Sequence, residues 1–140
     1  MSASTYVTFS LGEHLVGLPV ERVQEVLGAL PMTPVPRADR RVAGLLNLRG
    51  QVVTGLDLRA RFALPPAQED ESAGTVVVRT PGGPVALVVD RIGDVIQVDG
   101  MQPPPATLTG PIRDLVRGAY VLADSLLLDV RLDAVLALDR

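Results

Sequence analysis

The chain has 140 residues, 47% of them hydrophobic, which suffices for one compact domain or two small joined lobes and argues against disorder beyond short loops. Its formal net charge is only −3 and its 13 basic residues are all arginine, with no basic stripe, so nucleic acid is not expected as a main partner. Cysteine is absent, which removes thiol catalysis, disulfides and cysteine-type zinc sites. The first residues lack a secretory pattern, and the longest clean apolar run, Val85–Val89, is far short of the ~20 residues of a membrane span, so a cytoplasmic protein with no membrane insertion is expected.

Most of the chain reads as short strands with glycine and proline punctuation, the pattern of small barrels or sandwiches. Tyr6–Leu11 and His14–Leu18 flank Gly12-Glu13, a hairpin signal. Val20, Val23, Leu27 and Leu30 recur at helical spacing between Pro19 and Pro31, which predicts a short helix there. Leu45–Leu48 and Val52–Leu58 are split by Arg49-Gly50-Gln51, predicting two strands and a tight turn with an arginine at the corner. The stretch 63–74, with Pro65-Pro66 and Glu69-Asp70-Glu71, reads as a solvated loop. Beyond it, Thr75–Arg79 and Val85–Val89 flank Pro81-Gly82-Gly83-Pro84, and Gly118–Leu122 and Leu126–Val130 flank Ala123-Asp124-Ser125, two more hairpins. Leu132, Val135, Leu136 and Leu138 predict a second short helix.

The chain also repeats itself. Val20-Glu21-Arg22-Val23-Gln24-Glu25-Val26-Leu27 returns as Val89-Asp90-Arg91-Ile92-Gly93-Asp94-Val95-Ile96, 69 residues on. At the same offset Met32-Thr33-Pro34-Val35-Pro36 is matched by Met101-Gln102-Pro103-Pro104-Pro105. Leu56-Asp57-Leu58-Arg59 is echoed by Leu128-Asp129-Val130-Arg131, now 72 residues on. Two copies are too few for a solenoid, so a pseudo-symmetric pair of lobes is expected.

Site chemistry is sparse. His14, the single histidine, reads as a surface turn residue without placed partners. Asp57, Asp90 and Asp94 each lie near an arginine and read as solvated or ion-paired rather than as an acid–base pair. No serine sits in a nucleophile elbow and no glycine-rich phosphate loop follows a strand. No catalysis, metal or cofactor is therefore expected. Arg49 and Glu25 differ in kind: if the first helix packs near the corner hairpin, Glu25 can pair with Arg49 and orient it, although each reads equally well as an ordinary exposed charge.

In their order, several blocks resemble the CheW family of chemotaxis coupling proteins across nearly the whole length. They are Tyr6–Leu11, Gly17-Leu18-Pro19-Val20, Val23-Gln24-Glu25-Val26, Val42–Gly50, Leu56–Arg59, Ala86–Asp90, Asp94–Ile96, Pro103–Pro105 and Leu126–Val130. The Asn47-Leu48-Arg49-Gly50 corner preceded by Gly44 is the most distinctive. The resemblance implies a mainly β fold of two packed five-stranded β-barrel lobes, here with two short helices. The approximate lobe limits are 15–65 for the first barrel and 1–14 plus 75–140 for the second, in one CheW-like domain over 1–140.

The resemblance further implies a non-enzymatic adaptor without cofactor, bridging a chemoreceptor cytoplasmic tip and the regulatory domain of a CheA-type histidine kinase, and so recruited to membrane receptor arrays. Carried over by position, Arg49 belongs to the functional surface of the first lobe with Glu25 as ion partner, and Gly44, Asn47 and Gly50 shape the corner. Val23, Val26 and Leu27 would offer aliphatic contact area, Leu27 as an extra exposed apolar side chain. Gly55, where the family commonly has a branched residue, is expected to loosen its strand. The same adaptor in a surface-motility or developmental pathway is the alternative, and a small-molecule-binding barrel using the groove between the lobes is a third reading.

Overall fold

The computed structural model describes residues 3–66 and 74–138. Ten strands lie in it: β1 (Ser4–Leu11), β2 (His14–Pro19), β3 (Val23–Gly28), β4 (Val42–Leu48), β5 (Gln51–Asp57), β6 (Gly74–Thr80), β7 (Gly83–Val89), β8 (Arg91–Val98), β9 (Val116–Val121) and β10 (Leu126–Val130). They form two five-stranded sheets, ordered β8-β1-β2-β10-β9 and β3-β6-β7-β5-β4. The four expected hairpins are present, with β4–β5 turning at Arg49-Gly50 and β6–β7 at Pro81-Gly82. Most of the solvated loop expected over 63–74 falls in 67–73, outside the described residues.

The second predicted helix is there as α3 (Leu132–Leu136), and two others were not expected: α1 (Leu58–Arg61) and α2 (Pro111–Leu115). Asp57 starts α1 by accepting from the Arg59 and Ala60 amides at 3.0 and 3.4 Å. Proline at the first turn of α2 follows Gly110, a helix-start pattern. The first predicted helix does not form. Val20–Arg22 make one 3-10 turn and Val23–Gly28 are strand β3. The reason is a bulge: β3 pairs Val23 with Val78 but Glu25 with Val77, leaving Gln24 as an extra residue. That extra residue inverts the alternation along the strand. Val23 faces the core between the sheets and Leu27 packs in the interior of its own β3–β7 sheet, so a bulged strand imitates helical spacing.

Each sheet is drawn nearly shut by an isolated two-bond bridge between its outer strands. Thr33, after β3, exchanges bonds of 2.8 and 2.8 Å with Leu45 of β4. Gln102, after β8, does the same with Ala119 of β9 at 2.7 and 2.9 Å. Thr33 and Gln102 occupy matching places in the Met-x-Pro repeat, so that repeat marks the closing device of each sheet.

The sheets divide the chain differently from the expected lobe limits. One takes β3 to β7, residues 23–89, and the other takes β1, β2 and β8 to β10, residues 4–19 and 91–130. The sequence repeat runs β1–β5 and β6–β10, so each copy gives its first two strands to the other copy's sheet. The main apolar cluster accordingly joins both sheets, with Phe9 and Leu18 from one packed with Val76 and Leu87 from the other. Smaller clusters fill each sheet's inner face: Leu46, Val53 and Val77 in one, Tyr6, Tyr120 and Leu127 in the other. Strands buried on both faces read as unbroken apolar runs, as in Val76-Val77-Val78.

Candidate functional site

The corner between β4 and β5 is a two-residue turn closed by the Leu48–Gln51 pair, with Arg49 at φ 54° and Gly50 at φ 85°. Two successive positive φ values are those of a type I′ hairpin, whose twist suits the flanking strands. Glycine takes this conformation without penalty; an arginine does so at a cost of about 1–2 kcal/mol and only where the surroundings hold it. Asn47 helps to hold it, its Oδ1 accepting the Gly50 amide at 2.8 Å.

Arg49 reaches across the closing seam to Glu25 on β3. Its Nη2 donates to Glu25 Oε1 at 2.6 Å and its Nη1 donates to Oε2, a two-point guanidinium–carboxylate pair. The hydrogen bonds from Arg49 and its charge hold the Glu25 carboxyl below the usual carboxylate range, and Glu25 in turn raises the Arg49 guanidinium further. Arg49 is 68% exposed while Glu25 is only 18% exposed, so the carboxylate anchors a cation that faces solvent. Glu25 reaches this position because of the Gln24 bulge, which sets it on the same strand face as Leu27 at the mouth of the sheet. The pairing expected from the sequence is present, but on a strand rather than a helix.

Gly44 serves the same seam. A Cβ there would lie 2.5 Å from the Thr33 carbonyl oxygen, on a backbone with φ 151°, so only glycine admits the closing bridge. Gly55 makes room for a methionine, since a Cβ there would meet Met32 Sδ at 2.6 Å. Of the aliphatic residues expected at the surface, only Val26 is exposed. Val23 is buried in the core between the sheets, and Leu27 is half-buried against Leu46 and its neighbours, because the bulge turns both inward.

Sequence reasoning passed over Val52, opposite Asn47 across the hairpin and 68% exposed; its alternation with buried Val53 was the available signal. It also passed over the counterpart of this surface on the β8-β1-β2-β10-β9 sheet. Val95 matches Val26 in the repeat, and Val121 faces Leu126 across the β9–β10 hairpin; all three are exposed.

Two carboxylates near arginines are buried rather than solvated. Asp90, between β7 and β8, accepts from Arg59 Nε and Nη2 at 2.6 Å each and from the Gly12 amide at 2.6 Å. Asp129 on β10 accepts from the Tyr6 hydroxyl at 2.5 Å and from Arg117 Nη2 at 2.6 Å. Burial first, then the hydrogen bond to Asp129, push the Tyr6 hydroxyl far above its ordinary pKa. Among the described residues no group of three His, Asp or Glu side chains is placed to hold a metal. No helix of the described residues is long and apolar enough to cross a membrane.

Two five-stranded sheets, each drawn nearly shut and sharing one core, define a double β-barrel. The chain belongs to the CheW-like domain family, whose pattern matches residues 5–139. It is 31% identical over 118 residues to a chemotaxis protein CheW of Treponema pallidum, covering 80% of this chain and 69% of the relative. A chemotaxis protein CheW of Rhizobium meliloti is 29% identical over 131 residues, covering 92% and 84% of the two chains. In three dimensions the chain is similar to the scaffolding protein TtCheW of Thermoanaerobacter tengcongensis, with TM-score 0.87, 27% identity and coverage of 99% and 95%.

Proposed function

We propose that this chain is a non-enzymatic adaptor of bacterial chemotaxis, coupling chemoreceptor cytoplasmic tips to a CheA-type histidine kinase, with the Arg49 corner as part of its partner-binding surface. The observation that carries the proposal is the Arg49 turn itself. A solvent-facing guanidinium is kept in a costly left-handed conformation and aimed by a carboxylate on a neighbouring strand. A turn that served only to reverse the chain would be cheaper with asparagine or glycine at that position. Family membership and the relatives named for chemotaxis support the pathway. The adaptor acts at the cytoplasmic side of the membrane, by contact and not by chemistry.

The test is a titration against the regulatory domain of the cognate kinase with three proteins: wild type, Arg49→Glu, and Arg49→Glu combined with Glu25→Arg. Wild type binds, the single variant stays folded and binds more weakly, and the double variant recovers part of the loss. Failure of a folded wild type to bind any cognate kinase refutes the adaptor reading. Loss of cooperative unfolding in Arg49→Glu would show instead that the arginine is structural.

A further inference from the structure

The two halves treat one arginine differently. In the first half Arg59 sits in a cleft with Asp57, and its guanidinium takes the Asp90 carboxylate in a two-point grip at 2.6 and 2.6 Å. The repeat maps Asp57 to Asp129, Arg59 to Arg131 and Asp90 back to Glu21. Arg131 duly lines a cleft of about 300 Å³ together with Pro19, Arg22, Arg117, Asp129 and Asp133. Its carboxylate is missing. Glu21 is exposed, and among the described residues its side chain makes no hydrogen bond or ion pair.

The charges in this second cleft are unbalanced. Asp129 is committed to Tyr6 and Arg117. Asp133 holds Arg22 only loosely, at 3.3 Å, and is itself 89% exposed. Among the described residues Arg131 has no carboxylate partner. Three arginines thus line the cleft with two carboxylates, Asp129 engaged by Arg117 and Asp133 loosely by Arg22, which leaves the charge of Arg131 unmatched in a cavity at the small end of the range for bound ligands.

We infer that the Arg131 cleft is a carboxylate-binding site: the carboxylate partner that Asp90 gives Arg59 within the chain comes to Arg131 from outside it. Planar two-point recognition by arginine suits a carboxylate, whether on a small free acid or on an acidic side chain of a docked protein segment. This inference does not depend on the adaptor reading, since a free acid probes the site without any kinase or receptor.

The experiment is a calorimetric titration of the full chain with citrate at fixed ionic strength, and in parallel with a blocked peptide whose only charged group is one glutamate. Wild type is compared with Arg131→Gln and with Arg40→Gln, which removes an exposed arginine from the opposite cleft. Arg117 is left in place, because its loss would strand the buried Asp129. One saturable site, weakened about tenfold or more by Arg131→Gln and unmoved by Arg40→Gln, establishes the cleft. Citrate binding identifies a free acid as the source, and binding of the peptide alone identifies a partner's side chain. Absence of saturable binding by either probe up to tens of millimolar, or equal binding by Arg131→Gln, overturns the inference.

Discussion

Arg59→Ala is the most informative perturbation of the fold, because it breaks a buried pair that ties three separate segments. Arg59 on α1 holds Asp90 at the β7–β8 junction, and Asp90 also accepts from Gly12 in the β1–β2 turn. The two side chains are only 12% and 10% exposed. Two unit charges about 4 Å apart at an effective dielectric constant near 20 interact by about 4 kcal/mol. Removal of one member of a buried pair costs about 3–5 kcal/mol, because the remaining charge is left desolvated. For a domain of this length that corresponds to a fall in Tm of about 10 °C or more. Burial by itself would raise the Asp90 carboxyl; the hydrogen bonds from Arg59 and Gly12 and the guanidinium charge overcome it, so the folded value lies below the unfolded one. The stabilisation is therefore complete above the unfolded pKa of about 4 and is lost as pH falls through the folded pKa. Urea unfolding of wild type and Arg59→Ala at neutral pH and in acid checks both points. A difference under about 1 kcal/mol at neutral pH, or one that does not shrink in acid, refutes the reasoning.

Gly44→Ala and Gly50→Ala should separate steric closure from turn strain. Gly44→Ala drives a Cβ into the Thr33 carbonyl and costs about 2–4 kcal/mol, while Gly50→Ala has open space and pays about 1 kcal/mol for its positive φ. Urea midpoints in the reverse order would contradict the seam argument. Tyr6→Phe leaves buried Asp129 with Arg117 alone and should cost about 1–3 kcal/mol. Tyr120→Phe loses only the longer 3.3 Å hydroxyl contact, so thermal unfolding should rank it well above Tyr6→Phe in stability.

The strands and hairpins were legible because their signals are local: alternation, glycine-containing turns and β-branched residues. So was the Arg49–Glu25 pairing, once both residues were set beside the family pattern. What sequence missed was non-local. The bulge at Gln24 exists only relative to β6, yet it decides that Val23 goes into the core, Leu27 goes half in and Glu25 comes to the seam. Read without that partner, the same apolar spacing is a helix. Asp90 read as solvated or ion-paired because of an arginine close by in sequence, and it is ion-paired, but with a distant arginine and out of solvent; Asp129 was passed over. Asp129 is bonded to Arg117, twelve residues before it, and Asp90 to Arg59, 31 residues away.

The repeat carries the same lesson at larger scale. Its offset was correctly visible, and it marks equivalent closing bridges at Thr33 and Gln102. It did not mark the sheets, because each copy lends its first hairpin to the other. That exchange has a mechanical consequence. The 3-10 turn at Val20–Arg22 and the junction at Asp90 are the two places where the chain passes between sheets. Arg59 pins the second crossing through Asp90, while Arg22 at the first is held only by an exposed contact to Asp133. Breaking a buried pair costs about 3–5 kcal/mol and an exposed one typically under about 1, so the two crossings are unequally held although their sequences are alike. The looser crossing lies on the Arg131 cleft. A carboxylate seated there would supply the missing grip and stiffen the first crossing as Asp90 stiffens the second.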